Sequence, residues 1–132
     1  MNIKEQIKEK YNFGYFLSNG FKITKLEKNE VIIEYKVKES GLNPYNIVHG
    51  GILFSLCDFA SGALSLMNGH LPITTSDNIN FLNVAKCKKI KCKCNILKEG
   101  NNIGYYDAKI YDENDILLTT GSINMYLKKI DK

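Results

Sequence analysis

A chain of 132 residues can bury one core without disulfides or a structural metal, and a single domain over 1–132 is expected. Apolar residues at 44% and charged residues at 24% exclude a disordered chain. Eighteen lysines, no arginine and fourteen acids leave a net charge of only +4, so composition does not make a nucleic-acid binder. Any phosphate contact must come from Lys or backbone N–H groups, without a guanidinium fork. The opening Met-Asn-Ile-Lys-Glu-Gln carries no secretory pattern and no membrane span is expected, which points to the cytoplasm.

In chain order, Ile3, Ile7 and Tyr11 stand four apart and predict a short amphipathic helix over residues 3–11. Phe21 to Glu27 and Val31 to Lys38 read as strands joined by the turn Lys28-Asn29-Glu30. In the second, Val31, Ile33, Tyr35 and Val37 alternate with Ile32, Glu34, Lys36 and Lys38. Ser40 to Asn46 is a loop by its turn chemistry. A central helix is expected over about 51–67, ended by Asn68-Gly69-His70-Leu71-Pro72. Strand-like runs follow at Ile73 to Phe81, Lys88 to Lys98, Ile103 to Tyr111 and Ile116 to Leu127. One long helix and a meander of long alternating strands mean α+β with an antiparallel sheet.

Four cysteines raise the question of a metal. Cys57, Cys87, Cys92 and Cys94 form no CxxC pair, and both histidines lie far from the last three. Cys92 and Cys94 instead fall in step with Ile90 and Ile96, the inward row of a half-buried strand. Core thiols are expected, and no metal site.

The central helix holds the chemistry. Between His49 and His70 the only formally charged residue is Asp58, set among Leu53, Leu56, Phe59, Ala60 and Leu64. A helix this apolar over most of its circumference is buried. Gly51, Ser55, Asp58, Gly62 (or Ser61) and Ser65 form a narrow small and polar stripe at steps of three and four. A buried, unpaired carboxylate costs several kcal/mol, so Asp58 requires a partner or a purpose. The plain alternative is a hydrogen-bonded core aspartate or a loop cap. Gly50 and Gly51 sit at the helix N-terminus, where unpaired N–H groups and the positive end of the dipole can hold an oxyanion.

Asn43…His49-Gly50-Gly51…Asp58, followed by Ala60, Gly62 and Ala63, resembles the hotdog-fold acyl-CoA thioesterases of the phenylacetic-acid-pathway type. So does the later run from Thr74 to Leu82, and Gly100 falls in a turn where that family has glycine. The likeness spans about Gly41 to Leu127, and the spacing Asn-x5-His-Gly-Gly-x6-Asp is its most specific part. It implies a hotdog fold, a long central helix wrapped by a curved antiparallel sheet. It implies Asp58 as the catalytic carboxylate, either activating water as general base or attacking the thioester itself. Gly50, or Gly51 with it, would polarise the thioester carbonyl through a backbone N–H, with Gly51, Ser55 and Thr75 in the substrate site. Asn43 would orient the water or hold the loop, His49 would shape the turn and position substrate, and Thr74 would assist the water. The resemblance also implies a homodimer, or a dimer of dimers, in which Asp58 of one subunit faces the helix N-terminus of the other. No cofactor is implied, since coenzyme A is part of the substrate. Two features depart from the family: it often has Pro near Val84-Ala85, and no Arg is present here to clamp the coenzyme A phosphates.

The chemistry agrees with the resemblance. A thioester has an electrophilic carbonyl and a good leaving group, so one carboxylate and one oxyanion donor suffice. Lys86, Lys88, Lys89, Lys91 and Lys93 form a basic run on one strand, either a solvated outer face or a landing site for phosphates. For the landing site Lys86, Lys88 and Lys89 are the candidates. A non-catalytic acyl-CoA binding or sensing module is the alternative function. Mere binding has no need of Asp58 in an otherwise uncharged helix, which favours the enzyme.

Overall fold

A computed structural model describes residues 1–130; Asp131 and Lys132, the end of the expected domain, lie outside the described residues. Two short helices, α1 (Ile3–Tyr11) and α2 (Gly14–Ser18), precede the hairpin β1 (Lys22–Leu26) and β2 (Glu30–Lys36). A 3-10 turn at Glu39–Gly41 and a loop lead into α3 (Gly50–Met67). The strands β3 (His70–Phe81), β4 (Lys89–Glu99), β5 (Ile103–Asp112) and β6 (Leu117–Lys129) complete the chain. All pairings are antiparallel, in the order β1-β2-β4-β5-β6-β3. This is the helix-and-curved-sheet arrangement the resemblance implies.

The sheet's inward face follows from alternation kept in register. Val31 pairs with Cys94, Cys94 with Ala108, Ala108 with Gly121 and Gly121 with Ile79, one row across five strands. Ile90, Cys92 and Cys94 are buried as their spacing predicts, and all four cysteines are free thiols. The row is small at its centre because α3 comes closest there. A Cβ on Gly121 would stand 2.9 Å from Ile79 Cδ1 and 3.2 Å from Cys57 Sγ.

Twelve of the eighteen residues of α3 are buried against that face, Leu56 and Leu64 completely. By length and composition α3 is apolar enough to cross a bilayer, but 67% of it is buried inside this fold. Its polar stripe divides in two. Ser61 and Ser65 are buried and return their hydroxyls to helix carbonyls, at 2.9 Å from Cys57 O and 3.0 Å from Ser61 O. Gly51, Ser55 and Asp58 are half-buried at the open side of the helix.

The α1 boundaries match the expected helix. Asn2 caps it by accepting from Glu5 N–H at 2.9 Å. The α2 turn has no long apolar period to announce it. Gly14, at φ +54, breaks the chain after α1 and lets Phe16 enter a cluster with Tyr11, Phe21 and Phe59, at ring centroids 5.1–5.6 Å from Phe16. Strand β3 begins at His70, three residues before the expected start, because Pro72 sits in a strand whose far side is free of ladder bonds. The basic run does not share one strand. Lys86 and Lys88 lie in the β3–β4 connection, where the Glu113 carboxylate accepts from the N–H groups of Lys88 and Lys89.

Leu56 touches no solvent, so Leu56→Ala leaves a cavity between helix and sheet and is expected to cost about 2–5 kcal/mol. Urea unfolding followed by circular dichroism should show a lower midpoint with the slope preserved. An unchanged midpoint would mean that α3 is not the core element.

Candidate active site

Asp58 stands in an open groove of about 510 Å³ between α3 and the first half of β3, walled by Tyr15, Phe54 and Phe59. Thr74 Oγ1 donates to Asp58 Oδ1 at 2.8 Å. Thr74 reaches it because β3 carries a bulge: Thr74 pairs with Met125 and Ser76 with Asn124, leaving Thr75 as the extra residue. A bulge shifts the alternation by one. Thr74 and Asp77, three apart, therefore share the side that faces the helix, which regular alternation would forbid.

Asp77 is the residue that the sequence reading missed. It pairs in register with the buried Ile123 and meets Asp58 within the same chain. Burial pushes its carboxyl up to about 7, and the hydrogen-bonding contact and negative charge of Asp58 add to the rise. Asp77 Oδ1 is buried without a donor among the described residues. The available signal was Asp77 in step with Ile79, but only knowledge of the bulge relates it to Thr74. The Tyr11 phenol is likewise pushed up, first by burial and then by the charge of Asp58.

Ser55 and Thr75 line the same groove, yet both hydroxyls have structural bonds. Ser55 Oγ donates to Gly51 O at 2.6 Å and meets Tyr15 Oη at 3.2 Å. Thr75 Oγ1 donates to Asn124 O at 3.0 Å and closes the bulge.

Gly50 and Asn43 line a different groove, of about 280 Å³, together with Leu53, Phe81 and Ala85. His49 is the cap of α3: its Nδ1 accepts from Gly51 N–H at 2.7 Å, which leaves the ring proton on Nε2. A Cβ on Gly51 would lie 2.9 Å from that Nδ1, so glycine is needed for the cap to form. The cap occupies Gly51 N–H. Among the described residues Gly50 N–H has no acceptor, and it is the donor left at the positive end of the helix. Asn43 Oδ1 accepts from the N–H groups of Tyr45 (2.9 Å) and Ile47 (3.3 Å), so its carbonyl holds the loop rather than a water.

Asp58 and Gly50 are thus in separate grooves. Eight residues of helix put them about 12 Å apart along the axis, too far for one carbonyl to meet both in a single chain. Of the lysines, Lys86 is exposed next to Ala85, and Lys88 is exposed in the same connection. Lys89 Nζ turns to Glu34 Oε1 at 3.1 Å and lines neither groove.

Known proteins match this chain along most of its length. It is 26% identical to the hypothetical thioesterase protein of Streptococcus pneumoniae TIGR4 solved with coenzyme A, with a TM-score of 0.83 over 88% of this chain and 93% of that one. A Haemophilus influenzae thioesterase shares the fold at a TM-score of 0.88, covering 100% and 94% of the two chains at 17% identity. The 1,4-dihydroxy-2-naphthoyl-CoA hydrolase of Listeria monocytogenes is 23% identical over 113 residues, 83% of this chain and 92% of that protein. The profile of the thioesterase superfamily matches residues 45–119, a span that holds α3, the His49-Gly50-Gly51 cap, Asp58, Thr74 and Asp77. The chain therefore belongs to the thioesterase superfamily, as a hotdog-fold thioester hydrolase.

Proposed function

We propose that the protein hydrolyses acyl-CoA thioesters to free acid and coenzyme A, with Asp58 as the general base. The observation that carries this reading is Asp58 in an open groove with Thr74 bonded to one carboxylate oxygen at 2.8 Å. The other oxygen is left to take a proton from water as it attacks the thioester carbon. The carbonyl oxygen gathers negative charge in that step, and Gly50 N–H at the start of α3 is the donor suited to receive it. The S. pneumoniae thioesterase was also crystallised as an aspartate-to-alanine and a threonine-to-alanine variant at positions sixteen residues apart. Asp58 and Thr74 have the same separation, which supports pairing them in one role. The motif spacing around His49-Gly50-Gly51 supports the phenylacetic-acid-pathway type within the superfamily. No cofactor is needed for this chemistry.

The site is completed across a homodimer in this reading. Strand β3 runs from the Asp58 groove at Thr74 to the Gly50 groove at Phe81, and among the described residues only β6 pairs with it. A twelve-residue edge is open, with Ile73 53% and Phe81 55% exposed. Two copies paired antiparallel about an axis near Asn78 would satisfy that edge. They would also bring Thr74 of one copy beside Phe81 of the other, and so the two grooves together. Lys86 and Lys88 remain the candidates for coenzyme A phosphates, with Lys89 weakened by its bond to Glu34. The free thiols support a reducing, cytoplasmic setting.

Asp58→Asn keeps the shape and removes the base, so kcat should fall by about 10²-fold or more in an assay of thiol release from a panel of acyl-CoAs. A folded Asp58→Asn variant with near-native turnover would end this assignment.

The shared site is tested by mixing two inactive variants. In Gly50→Val the new side chain must displace the Phe81 ring, whose Cζ would be 3.3 Å from the first added carbon. Subunit exchange between Asp58→Asn and Gly50→Val gives mixed dimers with one doubly damaged and one intact site. At equal input half the dimers are mixed, so roughly a quarter of wild-type activity should return. No recovery after full exchange between folded variants would place the site within one chain.

A further inference from the structure

We propose that Asp77 is a positioning residue that keeps one proton in common with Asp58 and through it donates a hydrogen bond to the Asp58 carboxylate during turnover. The inference rests on the reading of Asp58 as the base and concerns how that base is held.

Three observations converge on it. The Thr75 bulge brings Thr74 and Asp77 to the same side of β3, both against Asp58. Asp77 Oδ1 is buried with no donor among the described residues, and a buried carboxylate oxygen left unpaired is costly. Within one subunit, the described residues around the pair do not compensate two negative charges. From α3 the groove presents Asp58 and Ser55, from α1 Tyr11 approaches Asp58, and from α2 comes Tyr15. From β6, Ile123 stands opposite Asp77, flanked by Ser122 and Asn124. Among the described residues no lysine or histidine lines the groove.

A proton resolves all three difficulties. Protonated Asp77 is a donor to Asp58, the orphaned oxygen becomes part of a hydrogen-bonded pair, and only one charge remains. Carboxylates this close titrate as a unit, and Asp77's rise to about 7 agrees with the geometry. Asp58 is then held by two hydroxyl-type donors, Thr74 and Asp77, with its remaining lone pairs aimed into the groove.

The proton balance is closed. Water's oxygen bonds the thioester carbon while its proton passes to Asp58. The C–S bond then breaks, sulfur keeps the electron pair, and it takes that proton as free thiol. Asp77's proton stays within the pair throughout. Above its titration the pair becomes dianionic, which loses the donor to Asp58 and opposes the negative charge developing on the substrate.

The kcat/KM profile of wild type should therefore fall at least ~5-fold between pH 7 and 8.5, after correction for spontaneous hydrolysis. In Asp77→Asn, whose amide stays neutral and still donates, kcat is expected to drop modestly while the alkaline fall disappears. Asp77→Ala, which lacks the donor, should lose about tenfold in kcat with little change in KM. Linkage adds a stability signature. The folded state holds Asp77's proton more tightly than the unfolded chain, so Asp77 increasingly destabilises the fold as pH rises from about 4 to 7. Asp77→Asn should accordingly raise Tm more at pH 8 than at pH 5. Carbon-13 NMR of the aspartate carboxyls gives a readout on unaltered protein: Asp77 should titrate near 7 in wild type and lower in Asp58→Asn. An ordinary carboxylate midpoint for Asp77, or an alkaline limb that persists in folded Asp77→Asn, overturns the proposal. If Asp58→Asn alone is inactive in those cases, the reading of Asp58 as base stands without it.

Discussion

Burial of α3 against the inward row of the sheet holds every other part in position. Leu56, Ala60 and Leu64 supply the apolar contact, and each large side chain fully removed from water is worth about 1.5–3 kcal/mol. Cys94, Ala108 and Gly121 keep the middle of the row thin enough for the helix to come close. With α3 anchored on that face, its remaining strip is turned to the open side, and Asp58 is on that strip. The same anchoring points the helix N-terminus at the loop that carries Asn43 and His49. A core interaction thus aims two polar groups that take no part in it.

The bulge at Thr75 acts on a finer scale. One residue added to β3 reverses which side chains face the helix, so Thr74 and Asp77 come to the same carboxylate. A hydroxyl and a second carboxyl then surround Asp58 where regular pleating would supply only one of them. The cost is local: Thr75 leaves the ladder, and its hydroxyl compensates by bonding Asn124 O. A catalytic group is often shaped by such an irregularity because regular strands offer neighbours only at even spacing.

Helix geometry imposes the third constraint. The proposed oxyanion donor at the start of α3 and the proposed base two turns along cannot be drawn together without breaking the helix. Among the described residues β3 is also unpaired on one side, with apolar side chains near both ends of the edge. In the proposed homodimer, antiparallel addition of a second β3 would satisfy the bare edge and unite the two grooves in one operation. In this reading assembly and activity have one cause.

The amino-acid sequence by itself determined the class and most element boundaries. The periods of 3.6 and 2 in α1, α3 and β2 are local and survive whatever the chain packs against. It also singled out Asp58, because one charge in an apolar helix is visible without coordinates, and it marked Gly50 and His49 by their place before that helix. The motif resemblance added Thr74. Tertiary structure decided the rest. That Gly51 N–H is occupied by His49, and that the Ser55 and Thr75 hydroxyls are bound internally, depends on rotamers and cross-strand neighbours that spacing does not encode. Lys89 was diverted to Glu34 by the β2–β4 register. Asp77 stayed hidden for the same kind of reason: its partner is nineteen positions away, and the contact exists only because a single residue leaves the β3–β6 ladder. Periodicity reports which way a side chain faces along one element. What it meets there is set by how two elements are registered against each other.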